Sequence, residues 1–382
     1  MERGKGTHQE AGILMKDKKK IVFISPLPPP YMGPTVATRI ILDSRLSDDF
    51  KLIHLDTSDH RPLNKLAVID LFNIALAIKS YIVLLLYVIK FRPEMVYVPI
   101  SQTTVGYLRD SIYIIIAKLF RCKVICHLRG GNFKGWLNST NSLTRWLVRQ
   151  VHSRIDGQIV LGEKLRCCFN GIISGEKIFV VPNGMGLVIK NTQVERKKIR
   201  VLYLSNFIKE KGILDVLDAA SIVSRRRLSK VEFFFAGNWF DLETKLRIEC
   251  FLKKNPNLSI KLKGPVNGEE KVDLLSHSSI FVFPPNSQEG HPWVIIEAMA
   301  AGLPIITTDQ GAITESVKDG INGFIVEERS PEQIAEKIKF LIENPEIMKK
   351  MGKESRRLYL QQFTEDKMVE RLSQAFSSVL AN

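Results

Sequence analysis

The chain contains 382 residues, which is too long for one ordinary hydrophobic core and predicts two domains of roughly 190 residues each. Hydrophobic residues make up 45% of the chain and charged residues 25%, values typical of a soluble globular protein. Five irregularly spaced cysteines fit no zinc signature and predict reduced, buried thiols in a reducing compartment.

The net charge of +15 is concentrated in the first half of the chain. Residues 1–195 hold 27 Lys and Arg against 15 Asp and Glu, whereas residues 196–382 hold 28 against 25. This excess indicates that the first half meets nucleic acid, anionic lipid headgroups or a diphosphate-bearing substrate, and a solvated basic surface without a partner explains it equally well. Because no nucleic-acid recognition motif is visible and the second half is almost neutral, we expect no nucleic-acid partner.

The N-terminal region lacks the pattern of a signal peptide or a membrane span. The polar stretch Met1–Lys20 is followed by an apolar run that meets Pro26 too soon for a signal peptide. The most apolar segment, Leu66–Ile89, is interrupted by Asp70 and Lys79, and its longest charge-free run is far shorter than the roughly 20 residues that a span needs. We predict a buried helix there, with a helix lying in the plane of a membrane surface as the alternative.

Short β-branched runs alternate with longer helical patterns along the chain, which is typical of parallel sheets with crossover helices. The first-half strands are predicted near Ile21–Ser25, Lys51–Leu55, Met95–Pro99, Lys123–His127, Gly157–Leu161 and Ile178–Pro182. The second-half strands are predicted near Arg200–Ser205, Val231–Ala236, Ser259–Lys263, Ser279–Pro284, Pro304–Thr308 and Gly323–Val326.

Two sets of strands of similar size indicate two doubly wound α/β domains. The polar stretch Lys190–Lys198 is the predicted boundary, and Phe363–Leu380 has the apolar spacing of an amphipathic helix. We therefore predict a disordered tail over residues 1–18, a first domain over 19–190, a second domain over 191–362 and a final helix over 363–382.

The polar motifs follow predicted strands, and ligands of open parallel sheets bind beyond the carboxyl ends of strands. We therefore expect a cleft between two sets of strand ends that face each other. The motif residues placed in this way are Gly33, His127 and Arg129 in the first half, and Asn206, Lys211 and Glu289 in the second.

The stretch Glu289–Pro304 places two carboxylates, Glu289 and Glu297, eight positions apart around the start of a helix. Pro292 suits the first helical position because its missing N–H costs nothing there, and Gly302 closes the helix. Free N–H groups at a helix start attract phosphate, while carboxylates accept hydrogen bonds from sugar hydroxyls. This combination predicts a nucleotide-sugar pocket, with an ordinary αβ unit carrying incidental surface acids as the alternative.

Together with the strand–turn–helix segment Ser205–Gly212, this stretch resembles the family 4 retaining glycosyltransferases of the GT-B fold. The likeness covers most of the second half, including Gly264–Val266 and Thr307–Glu315. In the first half it is weaker and covers Gly33, the loop His127–Gly131 and the turn Pro182–Gly184. The resemblance implies two Rossmann-like domains facing a central cleft, with a C-terminal helix that crosses back to the first domain.

In that family the donor nucleotide binds the second domain. By resemblance, Lys211 would neutralise the donor diphosphate, and Glu297 would accept hydrogen bonds from the ribose hydroxyls. Glu289, with the backbone of Gly290 and His291, would orient the transferred sugar. A solvated turn lysine is the alternative for Lys211 when that residue is considered alone.

The resemblance implies further donor contacts on both sides of the cleft. Pro292 would form part of the donor-binding loop, and Val266 would lie beside the nucleobase. Gly33 would let a first-domain loop approach the diphosphate, and His127 would contact the sugar as a catalytic residue together with Lys211 and Glu289.

One position departs from the family pattern. The turn before Lys211 usually carries an arginine, and here that place holds Asn206, whose amide brings no charge. Lys211 must therefore carry more of the neutralisation unless Arg129 or Lys209 helps. A structural or surface role is the alternative for Arg129.

The resemblance implies a metal-independent retaining glycosyltransferase of the hexosyltransferase class that needs no cofactor. No Asp-x-Asp motif occurs in the chain, and we assign no covalent nucleophile. The expected donor is a nucleotide sugar, and the expected acceptor is a saccharide or a polyprenyl-diphosphate-linked saccharide in cell-surface polysaccharide biosynthesis. The expected location is cytoplasmic, peripheral at the inner face of an anionic membrane.

Two other enzyme classes share a doubly wound architecture. A dinucleotide-binding oxidoreductase is disfavoured because Gly184-Met-Gly186 lacks the third glycine of that fingerprint. A nucleotide-sugar epimerase is the closer alternative, and it would need a pair of acid/base carboxylates in the first half, where no obvious pair is visible.

Overall fold

The computed structural model describes residues 18–29, 31–61, 70–187, 198–225 and 231–382. The predicted N-terminal tail lies outside this part of the chain except for Lys18, and the predicted domain boundary lies outside it except for Lys198.

Two parallel six-stranded sheets organise the described residues, one in each half of the chain. The first has the strand order β2-β1-β3-β4-β5-β6 and the second the order β12-β11-β10-β7-β8-β9. The first-sheet strands are β1 (Lys20–Ser25), β2 (Lys51–Asp56), β3 (Met95–Ile100), β4 (Lys123–Leu128), β5 (Gly157–Val160) and β6 (Ile178–Val180). The second-sheet strands are β7 (Ile199–Leu204), β8 (Val231–Ala236), β9 (Ile260–Lys263), β10 (Ile280–Phe283), β11 (Ile305–Thr308) and β12 (Gly323–Val326).

Helices cover both faces of each sheet. Those around the first sheet are α1 (Gly33–Asp43), α2 (Leu46–Asp49), α3 (Leu71–Phe91), α4 (Thr104–Leu119), α5 (Phe133–Ser139) and α6 (Ser142–His152). Those that follow are α7 (Ile213–Arg225), α8 (Leu242–Lys254), α9 (Gly268–Ser276), α10 (Trp293–Ala300), α11 (Ile313–Ser316), α12 (Pro331–Glu343), α13 (Pro345–Gln362) and α14 (Glu365–Ala381). Short 3₁₀ turns occur at Glu163–Phe169, Gly175–Lys177 and Lys209–Lys211.

All twelve predicted strands are present, and the inner strands of each sheet bury their apolar runs on both faces, as parallel sheets require. In β1 the residues Ile21–Ile24 are almost completely buried, and Ile21 pairs with Met95 of β3. In the second sheet Val201 pairs with Ile280, which brings the ends of β7 and β10 side by side. The two predicted doubly wound domains are therefore confirmed.

The final helix α14 packs on the first domain, as the fold prediction required. Its apolar residues Met368, Leu372 and Phe376 are buried in one cluster with residues of β1, β3, β4 and β5. The Phe376 ring lies 6.1 Å from the Tyr97 ring of β3. Helical spacing in the sequence therefore identified both the helix and the face that it buries.

Helix α3 differs from its prediction. A buried helix was expected, yet only Ser80, Leu84 and Val88 are fully buried in it, and much of its apolar surface is exposed. By length and composition alone it is the one helix of the described chain that could cross a membrane. Its first predicted residues, 66–69, lie outside the described part.

The cysteine prediction is correct for three of the five thiols. Cys122, Cys126 and Cys168 are buried, and burial raises the pKa of each thiol. Cys167 and Cys250 are exposed, so the expectation of buried thiols is wrong for these two.

Candidate functional site

A cavity of about 900 Å³ lies between the two domains, at the carboxyl ends of strands from both sheets. This volume falls within the roughly 300–1,000 Å³ of small-molecule sites. Ten of the residues predicted from the sequence line it: Gly33, Arg129, Asn206, Lys211, Val266, Glu289, Gly290, His291, Pro292 and Glu297. His127 is not among the lining residues.

A 3₁₀ turn after β7 carries Lys211 into the cavity. Gly212 follows with φ of 77°, a left-handed conformation that favours glycine, and a Cβ atom there would overlap the carbonyl oxygen of Pro284. The Tyr203 hydroxyl donates to the Lys211 carbonyl at 3.3 Å. This contact fixes the turn. The ammonium Nζ of Lys211 donates to Oε1 of Glu289.

Glu289 lies in the loop between β10 and α10, and 9% of the residue is exposed. Burial raises the pKa of this carboxyl, and the ammonium of Lys211 opposes that shift. The two groups form a mostly buried ion pair at the cavity wall, so removing either partner would leave a charge in a poorly solvated place.

Glu297 lies inside α10 and is also buried. Its Oε1 accepts a hydrogen bond of 2.6 Å from Nζ of Lys271, a residue of α9 that also lines the cavity. Lys271 was missed in the sequence because it lies in a short helix without a recognisable motif. The cavity thus contains two lysine–glutamate pairs, Lys211–Glu289 and Lys271–Glu297.

His291 connects the two domains through its imidazole. Its Nδ1 accepts from the backbone N–H of Asn183 at 3.0 Å, and Nε2 lies 2.6 Å from the Ser316 hydroxyl. The Asn183 side-chain amide also donates to the His291 carbonyl at 2.6 Å. Burial, with a smaller effect of Arg371, lowers the pKa of His291 to about 3, so the ring is neutral and Nε2 carries its proton.

Pro292 lies one position earlier in the helix than predicted. It is the N-cap residue of α10, with φ of −64° and ψ of 129°, and the helix begins at Trp293. Its ring still removes an N–H that would have no helical partner, so the physical reason for a proline there is unchanged.

The domains approach each other closely beside Glu289. A Cβ atom on Gly131 of the first domain would overlap the Glu289 carbonyl oxygen, and one on Gly290 would lie 2.8 Å from the Arg129 carbonyl oxygen. Nearby, both oxygens of Glu315 accept from backbone N–H groups at the start of the Glu163–Phe169 turn at 2.9 Å. Glycine and a capping carboxylate therefore allow the backbones of the two domains to touch.

Arg129 and His127 are joined through a tyrosine. Nη2 of Arg129 donates to the Tyr97 hydroxyl at 2.8 Å, and that hydroxyl lies 2.8 Å from Nδ1 of His127. Burial, and to a smaller extent Arg129, holds the pKa of His127 well below its usual range. Its Nε2 is buried and finds no hydrogen-bond partner among the described residues.

Four cationic side chains line the cavity against two carboxylates, which gives the site a positive balance. The cations are Arg39, Arg129, Lys211 and Lys271. Within the described ranges no group of three or more His, Cys, Asp or Glu is placed to hold a metal ion. Such a site can hold a polyanion with hydroxyl groups at one end.

Comparisons with known proteins show that this chain is similar to glycosyltransferases. Residues 188–358 match the family model of glycosyl transferases group 1. A glycosyltransferase of Methanocaldococcus jannaschii, itself uncharacterized, is 32% identical over 168 residues, which are 44% of this chain and 45% of that protein. The capsular polysaccharide biosynthesis glycosyltransferase CapM of Staphylococcus aureus is 28% identical over 203 residues, which are 50% of this chain and 51% of that protein.

These matches span about half the length of the curated relatives. The structure of Anabaena HepE in complex with UDP-glucose aligns with 94% of this chain and 99% of that chain, with a TM-score of 0.71 at 16% identity. At this identity the alignment shows a common fold over both domains. The chain therefore has the GT-B fold, and residues 188–358 of its second half are similar to the glycosyl transferases group 1 family.

Proposed function

We propose that the protein is a metal-independent, retaining glycosyltransferase that moves a sugar from a nucleotide-sugar donor to a saccharide or lipid-linked acceptor. The main support is that Lys211, Glu289 and Glu297 line one cavity between the domains. A cation is suited to a diphosphate, and carboxylates are suited to sugar and ribose hydroxyls. The complex of the similar HepE with UDP-glucose supports the donor class.

Lys211 is proposed to stabilise the departing diphosphate. Breaking the bond between the anomeric carbon and the phosphate oxygen places extra negative charge on the nucleoside diphosphate. The Lys211 ammonium is held by Glu289 and by its rigid turn, so it needs little reorganisation when this charge develops. Arg129 and Lys271 add positive charge to the same cavity, which supports neutralisation without a metal ion.

Glu297 is proposed to accept hydrogen bonds from the ribose hydroxyls. One of its oxygens accepts a hydrogen bond from Lys271, which orients the buried carboxylate. Val266 is proposed to lie beside the nucleobase, since it lines the same cavity and 7% of it is exposed. Glu289 and the Gly290 backbone are then left to orient the transferred sugar.

Gly33 and His127 are the proposed contributions of the first domain. Gly33 begins α1 at the cavity wall, where backbone N–H groups of a helix start favour phosphate. His127 is a proposed sugar contact although it does not itself line the cavity. The support is that its buried Nε2 has no partner in the described chain and that the Tyr97 hydroxyl joins its Nδ1 to the cavity-lining Arg129. We propose retention of the anomeric configuration, with the acceptor attacking the face from which the diphosphate leaves.

The proposed role is cell-surface polysaccharide biosynthesis on the cytoplasmic side of a membrane, with a polyprenyl-diphosphate-linked saccharide as acceptor. Similarity to CapM, a capsular polysaccharide biosynthesis glycosyltransferase, supports the role. The basic first half of the chain and the exposed apolar residues of α3 support contact with an anionic membrane.

The test is the release of nucleoside diphosphate from a panel of nucleotide sugars with a saccharide acceptor, with and without a chelator. We expect acceptor-dependent release that the chelator does not reduce, and a product with the donor's anomeric configuration by NMR. Interconversion of the nucleotide sugar without acceptor would instead indicate an epimerase and refute the proposal.

A matched pair of variants tests the assigned cation. Lys211→Ala should reduce kcat by about 10²–10³-fold, the usual effect of removing one donor to a developing anion. Lys209→Ala changes an exposed lysine of the same turn that does not line the cavity, and its kcat should stay close to wild type. Equal losses in both variants would remove the support for Lys211.

A further inference from the structure

The outer face of α3 is apolar although it faces away from the sheet. Ile74, Ile78, Ile82, Leu85 and Ile89 each keep between 39% and 54% of their surface exposed. Their helical spacing forms one continuous stripe, about 22 Å long at 1.5 Å per residue. A helix that packs on a sheet with one side normally exposes charged and polar residues on the other. The stripe therefore indicates a partner surface.

The same pattern continues on the neighbouring helices. In α4, which packs beside α3, the residues Leu108, Ile112 and Ile115 are exposed at helical spacing. In α6, which packs beside α4, Leu143 and Trp146 are exposed by more than half. We call the outer surfaces of α3, α4 and α6 the three-helix face. Contiguous apolar patches of this kind mark interaction sites.

Charge on the three-helix face has one sign. All residues of the three helices are described, and their exposed charged side chains are Lys79, Lys90, Arg109, Arg145 and Arg149. The three helices contain a single carboxylate, Asp110, which is buried and paired with Arg109. Exposed apolar side chains flanked by cations are complementary to an anionic membrane surface, where the cations meet headgroups and the apolar side chains meet acyl chains.

We infer that the three-helix face docks on an anionic lipid bilayer, with α3 lying in the membrane plane. Insertion across the bilayer is disfavoured because α3 joins β2 to β3, two strands of the same sheet. Helices that cross over between parallel strands run antiparallel to them, so α3 and α4 begin at the strand ends where the cavity opens. Docking therefore brings the cavity to the headgroups, and this step rests on the proposed lipid-linked acceptor.

The test is co-sedimentation of the purified full chain with vesicles at low salt. Vesicles of equal parts phosphatidylcholine and phosphatidylglycerol should bind the wild-type protein, and vesicles of phosphatidylcholine alone should bind it about tenfold less. Ile78→Ser/Ile82→Ser should reduce binding to the anionic vesicles about tenfold or more, because it removes two inserted side chains. No binding of the wild type, or equal binding of the double variant, would overturn the inference.

Matched variants separate docking from other causes. Leu242→Ser/Leu246→Ser removes two exposed leucines from α8 of the second domain and should leave vesicle binding unchanged. Arg145→Gln/Arg149→Gln should weaken binding to anionic vesicles while leaving the thermal melting temperature unchanged. Loss of binding in the α8 variant would overturn the assignment to the three-helix face.

Tryptophan fluorescence gives a second readout. Trp146 should shift to shorter emission wavelength when anionic vesicles are added, and Trp146→Phe should abolish that shift. If the wild type forms a dimer that Ile78→Ser/Ile82→Ser dissociates, without vesicle binding, the face is instead an interface between copies and the inference fails.

Failure of the docking inference and failure of the proposed enzyme activity give different experimental results. Nucleoside diphosphate release with a soluble saccharide acceptor should be unchanged in Ile78→Ser/Ile82→Ser. Vesicle binding by a protein that releases no nucleoside diphosphate would refute the proposed function alone. Activity on the soluble acceptor without vesicle binding would refute the docking surface alone.

Discussion

Replacing Lys211 by Met keeps the length of the side-chain stem and removes the ammonium that donates to Glu289. In the unfolded chain the Glu289 carboxyl has its ordinary pKa of 4.5 and is ionised at pH 7. In the folded variant, burial without the ammonium raises its pKa further, so the carboxyl takes up a proton. This protonation lowers the free energy of unfolding by at most about 3.4 kcal/mol at pH 7 and by about 0.7 kcal/mol at pH 5. Both values are the difference between the pH and the unfolded pKa, at about 1.36 kcal/mol per pH unit.

The sign of this pH dependence is specific. Because the folded pKa lies above the unfolded one, the stability deficit is absent below pH 4.5 and grows as the pH rises toward the folded pKa. The free energy of unfolding of Lys211→Met should therefore approach that of wild type as the pH falls from 7 to 5. Urea denaturation at the two pH values measures the difference.

The control removes the titrating group. In Lys211→Met/Glu289→Gln the buried site has no ionisable carboxyl, so its deficit relative to Glu289→Gln should be the same at pH 5 and pH 7. Its turnover should remain low, because the cation proposed for the diphosphate is still missing. If Lys211→Met loses the same stability at both pH values, the ion pair does not control Glu289 and the reasoning is wrong.

Three other changes have defined outcomes. Glu297→Ala should raise the donor KM by about tenfold or more, and Lys271→Met should reproduce part of this rise in initial-rate measurements, because the ribose acceptor loses its orienting partner. Gly131→Ala should reduce kcat by about 10²-fold without changing circular dichroism, because its methyl group would push the domains apart at Glu289. Lowering the pH from 6.5 toward 3 should reduce the thermal melting temperature. The reason is that His291 takes up a proton in the unfolded chain, whereas the folded ring, with a pKa of about 3, stays neutral. An equally steep loss in His291→Gln would refute this cause.

The strands and the terminal helix were predictable because each depends on a local pattern with a tertiary consequence. A run such as Ile21–Ile24 is short, apolar and flanked by Lys20 and Ser25, and only a strand covered on both faces buries it almost completely. In α14 the apolar residues recur at helical spacing, and the same residues form its contact with the first domain. The apolar runs and their helical spacing therefore specify these elements without knowledge of the segments that they pack against.

The polar pairings of the cavity were not predictable in the same way. Lys271 and Glu297 are 26 positions apart on different helices, and nothing in either local sequence specifies their contact. Likewise, Asn183 lies in a recognisable turn, but its bonds to His291 depend on how one domain packs against the other. Side-chain partners across domains depend on the relative placement of whole elements, which no periodicity contains.

Helix α3 shows where composition becomes ambiguous. The same apolar sequence is compatible with a buried core helix, a membrane span and a helix lying on a membrane, since all three bury apolar residues. The fold decides between them: the ends of α3 are tied to β2 and β3, which disfavours a span, and its stripe at Ile74–Ile89 is exposed, which excludes a core helix. A helix lying on a membrane is the one of the three that remains. It needs apolar side chains along one side and cations beside them, and Lys79 and Lys90 occupy those flanking positions. Surface exposure, which the sequence cannot specify, is thus the property that converts an apolar helix into a candidate membrane contact.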